Sequence, residues 1–275
     1  MIKRTQIKFH ESFQPELSYL SKILELANQH FSGTKFEISE ITGIPTGKQK
    51  GKVEPHIRYA TYMGLINHSL NESIYTLSLT PVGEIIVAQD PYLHETLTHW
   101  ILHYFISKPT SKAFQWSFLI NRAHQGFLQS SSNEYLVSEA NKYFQTTCSF
   151  EEMYGPIKRC YNDGCLADLD FLEWDAELKF LEQTENPELI FLYGFVLLDL
   201  WETVLPGRKE ITIEELSESL SYGNYLGLNM EDCHSVFDSL SDEGIVSVNK
   251  QLVPATIIKE QESLEVLPLL FSRLL

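Results

Sequence analysis

The sequence predicts a mainly α protein in three parts: an N-terminal winged helix-turn-helix domain over residues 1–90, a helical middle domain over 91–185, and an acidic winged-helix-like domain over 186–275. Three observations carry this. Hydrophobic periods before residue 90 run helix, helix, helix, strand pair, helix. A similar order recurs from Pro187, and between the two, LHETLTHWILHYFIS and AFQWSFLINRA are apolar with helical spacing.

In the first part, Pro15 opens an apolar face of Leu17, Leu20, Ile23, Leu24 and Ala27, and Gly33 follows its end. Lys35 to Glu37 reads as a short extended stretch. ISEITGI is a second, brief helix, broken by Gly43, Pro45, Thr46 and Gly47. Pro55 lies near the start of a third helix, where Val53, Ile57, Ala60, Thr61 and Gly64 share one face and Arg58, Tyr59 and Tyr62 lie opposite, on the surface. NHSLNES is expected to hold a loop or hairpin tip, IYTLSL alternates as a wing strand, and Thr80-Pro81 start a closing helix.

Residues 91–185 show no repeat, and 148–185, rich in Cys, Tyr, Asp and Gly, show no clear pattern. Beyond Pro187 come an apolar helix to Trp201, a Thr212-x-x-Glu215 capping box, a helix capped by Asn229 and ended by Gly244, and a hairpin, IVSV-NK-QLV, turning at Asn249 and Lys250.

Composition narrows the function. A chain of 275 residues that is 43% hydrophobic and 12% aromatic is not a disordered tail. Its longest apolar run, Leu189 to Leu198, is far shorter than the ~20 residues a membrane span needs, and no apolar stretch follows the basic start as in a secretory signal. Cys148, Cys160, Cys165 and Cys233 form no C-x-x-C pair and read as core residues, which suits a reducing cytoplasm. The expectation is a cytoplasmic protein without a membrane partner.

The formal net charge of -16 opposes phosphate binding, yet residues 1–60 carry nine Lys or Arg against six Asp or Glu. Lys48, Lys50, Lys52 and Arg58 fall within eleven residues, opposed by Glu54 alone. In a winged helix the turn before the third helix, and that helix's N-terminal end, face the DNA major groove. Lys48, Lys50, Lys52, His56, Arg58, Tyr59 and Tyr62 are therefore the candidate DNA-binding residues. The alternative is a solvated loop beside a helix packed on the middle domain. Nine acidic residues and no Lys or Arg from Glu210 to Glu243 make the C-terminal part a protein-binding candidate.

Enzymatic patterns are weak. Gly47-x-x-x-Gly51-Lys52 lacks the spacing and hydroxyl of a nucleotide P-loop. Glu95, His99 and His103 share a helix face that could hold a metal, but hydrogen bonding to neighbours explains them as well. No hydrolase motif is present, so neither an enzyme nor a cofactor is expected. Two alternatives stay open: a dimeric winged-helix transcriptional regulator, and a metal- or nucleotide-dependent enzyme centred on the middle domain.

The segments FHESF, TGIPTGKQKGKVEPHIRYATYMGLI, LTPVGEII and DPYLHETLTHWILHYFIS, spread over about residues 9–120, resemble the prokaryotic domain-of-unknown-function family four thousand and seven. The resemblance implies a companion of DNA-modification and phage-defence genes, of phosphorothioate type. It implies DNA and a protein partner, with a sulfur-transfer enzyme resembling phosphoadenosine-phosphosulfate reductase as the candidate. It carries over no catalytic residue.

Overall fold

The computed structural model describes residues 2–123, 130–251 and 254–274. Helix predominates, and the strands form three small sheets among the described residues, so the fold is mixed with a helical majority rather than mainly α alone. Two compact units divide the chain, Met1–Phe180 and Leu181–Leu275. The first therefore contains the segment expected to be the N-terminal domain together with residues 91–180 of the expected middle domain, whose last five residues fall in the second.

The first unit begins with α1 (Arg4–Ile7) and a 3-10 turn, Lys8–His10. Next come α2 (Leu17–Asn28), β1 (Ser32–Thr34), α3 (Lys35–Thr42), α4 (Val53–Tyr62), β2 (Ile66–Asn71), β3 (Ile74–Leu79) and α5 (Pro81–Gln89). The extended stretch lies at Ser32–Thr34, because Thr34 caps α3: Thr34 Oγ1 accepts from Glu37 N at 3.3 Å and Glu37 Oε2 accepts from Thr34 N at 2.7 Å. That reciprocal pair commits Lys35 to Glu37 to the helix. Most of NHSLNES is likewise strand β2, its solvated face explaining why it reads as loop. The hairpin tip is Glu72 and Ser73, both at positive φ.

Gly64, at φ +79°, ends α4 in a conformation costly for other residues, and a Cβ there would lie 2.4 Å from the Phe105 ring. The remainder of the unit is α6 (Thr96–Ser107), α7 (Phe114–Ala123), β4 (Ser130–Ser132), α8 (Asn133–Phe144), α9 (Phe150–Met153), α10 (Gly155–Asn162), β5 (Leu172–Trp174) and β6 (Glu177–Phe180). Helix α6 is buried on nearly every side, as its lack of a polar face requires.

The second unit holds α11 (Ile190–Val204), β7 (Glu210–Thr212), α12 (Ile213–Glu215), α13 (Met230–Asp242), β8 (Val246–Asn249), β9 (Thr256–Lys259) and α14 (Ser263–Val266). Of the expected strand Gln251 to Val253, positions 252 and 253 lie outside the described residues, and the strand that pairs with β8 is β9.

One connectivity occurs three times: helix, short strand, capped helix, further helix, hairpin. The sheet orders are β1-β3-β2, β4-β6-β5 and β7-β9-β8, antiparallel throughout, with the last strand central. Each opening strand ends in a hydroxyl residue that caps the next helix: Thr34, Ser132 through Tyr135 N at 3.3 Å, and Thr212 through Glu215 N at 3.1 Å. The middle occurrence falls in the stretch where the sequence shows no repeat. Its strands are three and four residues long, too short for alternation to register.

Candidate nucleic-acid interface

The ten-residue connection from Gly43 to Lys52 is a closed loop. Lys52 N donates to Pro45 O at 2.7 Å, pinning its two ends together. Gly51 packs against Thr46 so closely that a Cβ would lie 2.5 Å from Thr46 Oγ1, so the return strand of the loop accepts only glycine. Lys48, Gln49 and Lys50 are thereby held at an exposed tip. Neither lysine makes an ion pair among the described residues.

Lys52 differs. Its Nζ lies 2.7 Å from Glu16 Oε1 and stacks 5.3 Å from the Tyr19 centroid and 5.6 Å from that of Phe13. The Glu16 hydrogen bond holds Lys52 protonated above the usual lysine range. This lysine is an anchor of the loop, with its charge already compensated.

The surface position expected for Tyr59 is corrected: its side chain is 0% exposed, and its hydroxyl donates to Phe13 O at 2.8 Å. His56 is equally buried. The cause is a second layer over α4. The N-terminal segment lays Phe9 edge-on against Tyr59 at 5.0 Å and Tyr62 at 4.9 Å, and Arg58 Nη1 donates to Phe9 O at 3.4 Å. Helical periodicity separates an apolar stripe from a polar one, but it carries no information about a distant segment covering the polar stripe. Two aromatic residues on the supposedly solvated face were the available signal. Arg58 and Tyr62 stay half-buried.

Two histidines lock this layer. His56 Nδ1 donates to Lys52 O at 2.7 Å, while His56 Nε2 accepts from Glu16 N at 3.2 Å. His10 Nε2 donates to Glu152 O at 3.1 Å and its Nδ1 accepts from Ser12 N at 2.9 Å. Each ring is one donor and one acceptor, which only neutral imidazole supplies. Burial pushes both histidines down to about 4. The FHESF segment, from Phe9 to Phe13, is thus architecture that reaches α9 and α10 as well: Arg159 Nη2 donates to Ser12 O at 2.9 Å.

Sequence reasoning missed the carboxylate that gathers the start of the chain. Glu152 accepts from Arg4 at 2.6 Å and Lys8 at 2.8 Å, and those hydrogen bonds, first Lys8 and then Arg4, bring it down to about 2. Two of the nine basic residues before position 60 therefore share the single negative charge of Glu152. Lys35 is a third, paired with Glu54 at 2.7 Å. With Lys52 paired to Glu16, four of the nine have an acidic partner, and of the remaining five Lys48, Lys50 and Arg58 lie in the loop and α4, whereas Lys3 and Lys22 lie elsewhere.

On the Glu95, His99, His103 face the two histidines are engaged otherwise. Both ring nitrogens of His99 meet acceptors, Leu93 O at 2.8 Å and Asp168 at 2.7 Å, and His103 Nδ1 meets the Tyr161 hydroxyl at 2.5 Å. Among the described residues no His, Cys, Asp and Glu grouping could hold a metal, and no helix is long and apolar enough to cross a membrane.

Comparisons with known proteins fit this architecture. A family model described as a protein of unknown function, DUF4007, matches residues 8–153. A crystal structure of SspB is similar with a TM-score of 0.72 at 15% identity, covering 94% of this chain and 84% of SspB. A magnesium-ion-bound SspB crystal structure gives 0.70 at 12% identity, with the same coverages. At these identities the likeness is one of fold. No curated protein matches the sequence.

Proposed function

The chain belongs to the DUF4007 family, and from that premise we propose that it is a non-catalytic DNA-binding or adaptor subunit of a prokaryotic DNA-modification system of phosphorothioate type, or of an anti-phage system. The observation that carries the reading is the closed loop with Lys48 and Lys50 at its exposed tip, set at the N-terminal end of α4 in a helix, strand, helix, helix, hairpin order. That order supports reading the repeats as winged helices, in which this loop and the β2–β3 hairpin are the parts that meet a duplex. Arg58 extends the basic surface. His56 and Tyr59 act indirectly, holding α4 to its covering segment.

The second unit serves a protein partner in this proposal. It carries seventeen acidic residues against five basic ones, and four of those five are ion-paired: Arg208 with Glu215, Lys250 with Asp238, Lys259 with Glu262 and Arg273 with Glu243. What remains is a strongly negative surface, which repels phosphate and suits a basic protein face. The link to DNA modification rests on what family membership implies.

The test is a salt series. Binding of a labelled duplex should weaken for the Lys48→Ala/Lys50→Ala variant by similar factors on unrelated sequences, and its salt dependence should flatten by about two phosphate equivalents. Adding Lys52→Ala should flatten it little further, because Glu16 already compensates that charge. An unchanged salt slope in the double variant would overturn the assignment.

A further inference from the structure

Away from the α4 loop, the first unit contains a half-open cleft of about 650 Å³ between α7 and α8, lined by Phe114, Ser117, Phe118, Arg122, Tyr143 and Phe144 among others. Its centre is an exposed tyrosine held still. Tyr143 is 58% exposed, yet its ring packs on two buried rings, Phe118 at 4.8 Å and Phe144 at 5.1 Å, and the Arg122 guanidinium lies 5.4 Å from its centroid and 5.3 Å from that of Phe118. An aromatic ring fixed from behind and open in front is a stacking platform whose ordering cost has already been met.

The charge around the cleft departs from the rest of the chain. The lining residues and their immediate chain neighbours include Lys3, Lys108, Lys112, Arg122 and Lys142 and no Asp or Glu, in a protein of net charge -16. Lys3, Lys112 and Lys142 are exposed. An apolar ligand would need no such field, and an inorganic anion would need no aromatic wall. The combination suits a ligand that is both planar and anionic, and the volume suits one nucleotide.

We propose that the α7–α8 cleft binds an unpaired nucleotide, its base stacked on Tyr143 and its phosphate neutralised by Arg122 and the flanking lysines. The site goes beyond the proposed duplex contact and shares no residue with it. Two sources offer this chemistry: a free nucleotide, and a nucleotide turned out of, or lying within, a single strand.

The test uses the full chain with a short labelled oligodeoxythymidine at low salt, and thymidine monophosphate as a second probe. Tyr143→Ala should weaken oligonucleotide binding about tenfold, Tyr143→Phe should retain it, and Tyr92→Ala, at an exposed tyrosine outside the cleft, should leave it unchanged. Thermal melting of the variants separates lost binding from lost folding, and because Tyr143 is mostly exposed and packs on one side only, Tyr143→Ala should lower the melt slightly and leave a cooperative transition. Tyr143-dependent binding of the monophosphate would assign the site to free nucleotides; binding of the oligonucleotide alone would assign it to a strand. Equal binding by wild type and Tyr143→Ala, or no binding of either probe, overturns the proposal. So does loss of oligonucleotide binding in Lys48→Ala/Lys50→Ala with none in Tyr143→Ala. Because Lys48 and Lys50 are untouched in the Tyr143 variants, failure here leaves the duplex reading standing, and the reverse also holds.

Discussion

His10 and His56 tie the pH response of the fold to two imidazole rings. Both are held near 4, below the value of about 6.5 for an unfolded chain, so the unfolded state takes up protons first as pH falls. Above about 6.5 neither ring affects stability. Between 6.5 and 4 stability is progressively lost, by about 2 kcal/mol for each ring at pH 5 relative to pH 7, and the loss levels off below 4. Denaturant titrations at pH 7, 6 and 5 measure this, and replacing either histidine with Gln should flatten the profile by about half. At Tyr59 the structure reverses the expectation for an exposed recognition residue. Tyr59→Ala should cost about 3–5 kcal/mol, as emptying a buried aromatic site does, whereas Tyr62→Ala should cost distinctly less. Comparable urea midpoints for the two variants would contradict the burial seen here.

The capped helices test whether the three repeats are built alike. Thr34→Ala, Ser132→Ala and Thr212→Ala each remove a side-chain oxygen from the first turn of the second helix, and each should cost about 1 kcal/mol. The Thr34 variant should lie at the upper end, since it also loses the hydrogen bond that Thr34 Oγ1 donates to Glu37 Oε2 at 2.8 Å, whereas the main-chain bonds to Glu37 and Glu215 survive in alanine. The capping boxes show what a sequence makes legible. Thr212-x-x-Glu215 is readable because a local hydrogen bond has a local signature, and α2, α4, α5, α11 and α13 are readable because each buries one continuous stripe or is apolar throughout. The middle sheet was not readable, since strands of three or four residues present too little alternation, and its hairpin is recognised only through pairing with a strand almost fifty residues earlier. At the candidate interface the loop lysines were legible from charge and turn residues. The burial of His56 and Tyr59 was not, because it depends on Phe9 and Phe13, which no local window joins to α4.

At the scale of the molecule, charge divides the two units. A fragment of residues 181–275 should fail to shift duplex DNA even at low salt, where nonspecific binding is strongest, and a clear shift would remove the basis for assigning that unit to a protein partner. Within the first unit the farthest-reaching ties are those of the N-terminal segment: Arg4, Lys8 and His10 meet Glu152, which stands 142 to 148 positions later in the chain. Synthesis proceeds at about 5–20 residues per second, so the ends of these bonds leave the ribosome roughly 7 to 30 seconds apart. Through that interval the histidine at position 10 lacks the carbonyl it will donate to. The nascent first unit therefore spends most of its synthesis as an unclosed clasp, and the docking of its N-terminal segment must wait for α9 and α10 to emerge.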